Sequence, residues 1–228
     1  INCYSFTTLR GGIKMKIQLY NVFVEPFKIA FSKEPIILIP LFISILLTII
    51  FDIIGQFGPV AYFVSVMLTG IFNTFFYAWT TILYNEFKEH EKADMRDSFA
   101  RIKKLFLDIT ILSIFVGFLI SIGFMAFVIP GIILALFLIF SPCVFVVEDV
   151  SLADSIRKSF SFVFKAEHFF QILIVLVAIF LLGLIPYIGV YISTLLEFLW
   201  LPYLYVYYHD NNQVVAPQKP QVKENKQD

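Results

Sequence analysis

Charge is scarce in this chain, and the scarcity decides the first question. Only 15% of its 228 residues are charged, against about a quarter in a soluble globular domain. Cysteine is scarcer still. Cys3 and Cys143 are the only two, and they offer neither a disulfide framework nor a thiolate metal spacing. Three histidines, His90, His168 and His209, are scattered without ligand spacing. Also missing are a Gly-rich phosphate loop, an HExxH helix, a Gly-Ser nucleophile loop with a membrane histidine, and a GxGD-type acid pair. ATP hydrolysis and intramembrane proteolysis therefore lack their residues. Lys and Arg balance Asp and Glu at 17 each, and no basic face of the size nucleic acid requires is present. No catalytic residue, cofactor, metal ligand or nucleic-acid partner is assigned, and the chain is read as something other than an enzyme.

What is abundant is apolar sequence: 59% of residues are hydrophobic, 18% aromatic, and 28 are Phe. Several runs exceed the ~18 residues that cross ~30 Å of hydrocarbon as helix. The expected fold is an all-α membrane protein of six transmembrane helices, arranged as three hairpins, each preceded by a cytoplasmic amphipathic interfacial helix. Spans are expected at about 35–54, 60–84, 109–129, 131–147, 169–185 and 190–208. The 109–147 stretch has a tight turn at Pro130–Gly131 as two spans, with a re-entrant hairpin as the alternative. The six-span membrane domain covers 19–208. Residues 1–18 are set apart as an N-terminal leader or tail, with Met15 an alternative start. Residues 209–228, rich in Asn, Gln, Lys and Pro, are expected to form a disordered cytoplasmic tail.

Basic residues orient the spans. All 17 Lys and Arg lie before the first span, in 85–107, in 148–168 or in the tail, and none lies in the turns near 55–59, 130–131 and 186–189. With six spans these two groups face opposite sides, so the positive-inside rule puts both termini in the cytoplasm of a multi-pass cell-membrane protein. Tyr77, Trp79 and Tyr84 near the end of the second span agree, as do Trp200, Tyr203, Tyr205, Tyr207 and Tyr208 near the end of the sixth.

The interfacial helices have their own signals. In the first, Phe23, Phe27 and Phe31 are spaced by four, and Pro26 suits a first turn after Glu25. In the second, Asp94 can cap a helix whose face is Met95, Phe99, Ile102 and Phe106. In the third, Ser151 and Asp154 have capping-box spacing, and Leu152, Ile156, Phe160 and Val163 form the apolar face beside Ser155 and Ser159. Arg157, Lys158 and Lys165 are left for anionic headgroups at the cytoplasmic face, at about 1 kcal/mol each. Residues 94–106 and 151–163 align loosely as a repeat, sharing Asp–Ser pairs; similar composition alone is the alternative.

Inside the membrane, Ala61, Ser65, Thr69, Asn73, Tyr77 and Thr81 recur every four residues along the second span, a stripe that should face other helices. Ser113, Gly117 and Ser121 make a small-residue face on the third. Helix packing explains both stripes; a polar path is the sharper alternative. Glu197 sits about nine residues into the sixth span, where a charge costs about 2.5–3.5 kcal/mol on insertion scales. It should face the bundle interior or be protonated. Asn73, at comparable depth, and Ser193 are its expected hydrogen-bond partners, and the three make the candidate intramembrane polar site.

Pro142, Glu148, Ser155, Arg157–Lys158, Ser159 and Phe160 together form a pattern. It resembles the membrane domain fused to some glycerophosphodiester phosphodiesterases, and the YciC-like proteins; Ser155 stands where Ala is usual. The resemblance covers about 130–208 and implies a six-span helical domain without assigned catalysis. The leading functional expectation is a structural or accessory protein of the cell membrane. Its partners would be the bilayer and either another membrane protein or a second copy of the chain. A small-solute or ion transporter using the path near Glu197 and Asn73 is the alternative.

Overall fold

The computed structural model describes residues 19–164, 166–186 and 188–209. Met15 and the rest of 1–18, Lys165 and the tail beyond His209 lie outside the described residues. Among the described residues the regular structure is helical throughout. Five segments are long and apolar enough to cross a membrane by themselves: Pro35–Gly55, Pro59–His90, Phe106–Ala126, Ile129–Glu148 and Gly189–Tyr208. A sixth qualifies only as a bent pair, Leu152–Phe164 with Phe169–Gly183. The protein is therefore an all-α, multi-span membrane protein.

The chain opens with α1 (Leu19–Lys28), which runs into a π-helical turn at Ile29–Lys33 and a 3-10 turn at Pro35–Ile37 before α2 (Leu38–Gly55). Pro26 is not in a first turn, as its neighbour Glu25 led us to expect, but inside α1 near its end. The ring removes one backbone donor. The carbonyl of Pro26 itself receives the Tyr84 hydroxyl at 3.4 Å, so the irregular stretch is tied to the core.

Helix α3 (Pro59–His90) is the spine. At 32 residues and 1.5 Å per residue it is about 48 Å long, well beyond the ~30 Å hydrocarbon core. It does not stop near Tyr84, because Glu86, Lys88 and Glu89 are good helix formers in water. Glu91, at φ 58°, ends it, with its N–H bonded to the Phe87 carbonyl at 2.9 Å. Helix α4 (Met95–Lys104) begins on the expected cap: Asp94 accepts from the Arg96 and Asp97 amides at 2.7 and 3.2 Å.

Helix α5 (Phe106–Ala126) meets α6 (Val128–Leu138) through one extended residue, Phe127. The turn thus precedes Pro130–Gly131, and Pro130 occupies the first turn of α6, where its absent N–H costs nothing. Gly131 lets the two helices touch. A Cβ there would lie 2.5 Å from Phe124 Cγ, and one at Gly123 would lie 2.9 Å from Gly131 Cα. The fourth crossing is interrupted before α7 (Ser141–Glu148). Pro142 explains the break, since it cannot donate to the Leu138 carbonyl and its ring crowds it. Helix α8 (Leu152–Phe164), α9 (Ala166–Gly183) and α10 (Gly189–Tyr208) complete the fold.

Burial is concentrated at one end. The continuous run Phe75–Asn85 of α3, Ser141–Val146 of α7 and Phe198–Val206 of α10 are all buried. Phe162 bridges them, 5.0 Å from both Phe140 and Tyr205. Three helices close over this end. Phe23 and Phe27 of α1 meet the Trp200 ring at 4.7 and 6.3 Å. Trp79 donates its indole N–H to Ser98 of α4 at 3.1 Å. On α8, Ser155 and Ser159 sit at the centre of the contact, fully buried. Ser159 donates to the Phe137 carbonyl, and the Phe137 ring stacks on Phe160 and Phe164 at 5.0 and 4.5 Å. The small serines let α8 approach; the flanking phenylalanines supply the apolar area.

Candidate functional site

The four-residue stripe on α3 is longer than its apolar part, continuing through Thr81 to Asn85 and Glu89. Its members tie α3 to the helices around it. Asn73 Oδ1 accepts from Ser44 at 2.5 Å and lies 3.4 Å from the Thr48 hydroxyl, joining α2. Beside the stripe, Thr74 and Ser113 share a hydrogen bond at 3.1 Å, joining α5. Thr81 meets Cys143 at 3.4 Å, and the Cys143 thiol donates to the Tyr77 hydroxyl at 3.1 Å, joining α7. Such bonds between membrane helices average about 0.6 kcal/mol each, so their sum fixes which faces meet.

Glu197 belongs to this layer without belonging to these bonds. Phe198 next to it packs edge-on against Tyr77, ring centroids 5.9 Å apart. Its carboxyl is within electrostatic range of both Tyr77 and Cys143. The structure does not bring Glu197, Asn73 and Ser193 together: among the described residues no hydrogen bond joins them. Asn73 is held by α2, and Ser193 donates to the Val190 carbonyl of its own helix at 2.9 Å. Phe198, beside Glu197, meets Tyr77, one helical turn along α3 from Asn73.

Towards the turn end, a cavity of about 140 Å³ is lined by Asp52, Tyr62, Ser65 and Thr69 among others. There Tyr191 of α10 donates to Asp52 at 3.3 Å. Towards the opposite end lies a larger cavity of about 320 Å³, walled by Asn85, Lys88, Glu89, Glu148, Lys158 and His209. Its corner is Glu148, the last residue of α7. Lys158 of α8 and the Tyr205 hydroxyl of α10 donate to its two carboxylate oxygens. Lys88 donates to the Val206 carbonyl at 2.6 Å, Asn85 to Glu89 at 2.9 Å, and His209 stacks on Tyr205 at 5.0 Å. Arg101 of α4 donates to the Val146 carbonyl at 2.7 Å, satisfying one of the carbonyls that α7 leaves open at its end. At the start of α4 the amides of Asp97 and Arg96 hold the Asp94 carboxyl below its usual range.

Of the three basic residues expected to face headgroups, Arg157 is exposed and Lys158 is held by Glu148. Lys165 lies outside the described residues. Lys88, Asn85, Glu89, Tyr205 and His209 were not singled out as a site in the sequence. The signal for Asn85 and Glu89 was present, since both continue the α3 stripe. Nothing local announces that α8 and the end of α10 complete the wall. Among the described residues, no group of three or more His, Cys, Asp or Glu is placed to hold a metal ion.

Residues 60–201 match the family model described as Uncharacterised protein family (UPF0259), more than half of the chain. No curated protein and no solved structure matches the chain.

Proposed function

The chain belongs to this uncharacterised family, and on that premise we propose that it is a structural or accessory component of the cell membrane. In this reading six spans form three pairs, each preceded by a surface helix (α1, α4 and α8), with the basic loops and both termini in the cytoplasm. One observation carries it: Asn73, Tyr77 and Thr81, the polar groups in the middle of the α3 stripe, are spent on neighbouring helices. Asn73 is bound to Ser44, and Thr81, Cys143 and Tyr77 to one another. The distribution of Lys and Arg supports the orientation. The resemblance of the Pro142–Phe160 pattern to the phosphodiesterase membrane domains and YciC-like proteins points the same way, since it implies no catalysis of its own.

A second reading, a small-solute or proton transporter, is favoured by Glu197. Its carboxyl is within electrostatic range of Tyr77 and Cys143, and the α3 stripe that includes Tyr77 runs from the Asp52–Ser65 cavity to the Asn85–Glu89 cavity. Reconstitution separates the two. Proteoliposomes carrying an internal pH dye are given a pH step and a valinomycin-clamped potassium potential. The accessory reading expects fluxes equal to those of protein-free vesicles for wild type and Glu197→Gln alike. A wild-type flux that Glu197→Gln abolishes would replace it with the transport reading.

A further inference from the structure

The cavity at the basic end has a lining whose chemistry is more specific than that of a general anion patch. Two ammonium groups, Lys88 and Lys158, face two carboxylates, Glu89 and Glu148, with the Asn85 carboxamide and the His209 imidazole completing the polar wall. Lysine and glutamate charges cancel. A bare dianion would meet two carboxylates, and a bare cation would meet two ammonium groups. A ligand carrying both signs a few ångströms apart meets a partner for each.

The two carboxylates are not equivalent. Glu148 is occupied on both oxygens, by Lys158 and by Tyr205, and its side chain is only 17% exposed. Glu89 is the outward one: its side chain is 58% exposed, and Asn85 orients it by donating to Oε1 at 2.9 Å. Lys158 spends one of its three N–H donors on Glu148, and its side chain remains 45% exposed. Lys88 is fixed by the Val206 carbonyl with its ammonium 5.9 Å from the Tyr207 ring centre. The wall is thus pre-ordered: Lys158 and Tyr205 are held on Glu148, Lys88 on the Val206 carbonyl, and Glu89 by Asn85.

Location and size narrow the ligand further. The cavity lies just past the aromatic belt of Tyr203, Tyr207 and Trp200, the level at which such residues mark the membrane–water boundary. Its ~320 Å³ holds roughly ten water-sized groups at ~30 Å³ each, enough for a phosphate and a short aminoalkyl arm.

We propose that this cavity binds a phosphate ester bearing a primary ammonium, the phosphoethanolamine chemistry. Lys88 and Lys158 face the phosphate, and Glu89 with Asn85 faces the ammonium. The proposal rests on the placement of this end at headgroup level, and it holds whether or not the bundle conducts. Two sources share the chemistry, the headgroup of phosphatidylethanolamine and soluble phosphoethanolamine.

The full chain, delipidated in a mild detergent, is exposed to equal amounts of phosphatidylethanolamine, phosphatidylglycerol and phosphatidylcholine, and retained lipid is read by native mass spectrometry. Phosphatidylethanolamine is expected to be retained about five-fold over phosphatidylglycerol, whose headgroup has no cation, the scale of one surface charge contact of ~1 kcal/mol. It should also be retained above phosphatidylcholine, whose quaternary ammonium has no N–H to donate to Glu89. Glu89→Gln, an exposed substitution that leaves the fold in place, should bring the ethanolamine-to-glycerol ratio close to one. Lys88→Gln should lower retention of both lipids together. Displacement by millimolar phosphoethanolamine assigns the site to the headgroup chemistry alone; retention in its presence assigns it to the intact lipid. Equal retention of the three lipids by wild type, or a ratio that Glu89→Gln leaves unchanged, overturns the proposal. Because binding is read in micelles, its failure is distinct from a failure of the membrane orientation.

Discussion

Glu148 is the residue through which α7, α8 and α10 meet, and its two partners should contribute unequally. Tyr205 is 1% exposed and donates its hydroxyl to one carboxylate oxygen. Removing that hydroxyl by Tyr205→Phe keeps the ring between Phe162 and His209 but strips a charged acceptor of a buried donor. Hydrogen bonds to charged groups are worth about 1.5–3 kcal/mol, so a loss of about 2 kcal/mol is expected. Lys158 donates to the other oxygen from a side chain 45% exposed. An ion pair that open contributes about 0–1 kcal/mol, and Lys158→Met keeps most of its stem, so about 0.5 kcal/mol is expected. The double variant should cost more than the sum, because Glu148, only 17% exposed, then keeps neither partner. Unfolding midpoints from SDS titration in mixed micelles, followed by tryptophan fluorescence, give the three numbers. A Lys158→Met cost equal to or larger than that of Tyr205→Phe would refute the reasoning, since it would make the surface ion pair the anchor.

Three further expectations can be read in the same assay. Gly123→Ala places a Cβ 2.8–2.9 Å from Leu134 Cδ1 and Gly131 Cα; overpacking of this kind costs about 1–3 kcal/mol. Gly117→Ala, with open space around its Cβ, should cost little. A double-mutant cycle on Ser44→Ala and Asn73→Ala should return a coupling of about 0.6 kcal/mol; a value indistinguishable from zero would deny the α2–α3 bond. The cap on α4 should be acid-sensitive: Asp94 is held below its usual range by the Asp97 and Arg96 amides. Its stabilisation is therefore complete above the unfolded carboxylate pKa of ~3.9 and is lost as pH falls through the lower folded value. Trp79, bonded to Ser98 of α4, should report that loss below about pH 4, and Asp94→Asn, which caps without a titratable carboxyl, should remove the transition.

Apolar run length was enough to identify a multi-span helical protein, because no soluble core absorbs such runs and hydrocarbon requires helices. The Asp94 and Ser151 caps were legible too, since capping chemistry is local: Asp154 N–H does reach the Ser151 hydroxyl, at 3.2 Å. Where reading failed, the cause was a tertiary one. Pro26 lies inside α1, and its carbonyl accepts from the Tyr84 hydroxyl across 58 positions of sequence, a contact invisible locally. Ser98, which lies outside the apolar face of Met95, Phe99, Ile102 and Phe106, is buried together with Ile102. Trp79 chose the serine, a partner no helical period announces. Asn73 is bound by Ser44 of α2, a choice of partner that counting residues from chain turns does not reveal. The basic-end cavity needs α3, α7, α8 and the end of α10 together, so its wall was visible only as separate fragments.

The proposed orientation puts the basic end in the cytoplasm while the turns face outward. Side-specific labelling tests this directly. Single cysteines at Gln56 and Ile188 on the turn side, and at Lys92 and Val150 on the basic side, are placed in a background with Cys3 and Cys143 replaced by serine. They are then exposed to a membrane-impermeant maleimide in right-side-out vesicles. The account expects labelling at Gln56→Cys and Ile188→Cys in sealed vesicles, and at Lys92→Cys and Val150→Cys only after lysis. Labelling of Lys92→Cys but not Val150→Cys in sealed vesicles, or the reverse, would contradict it, since the two basic loops would then lie on opposite sides.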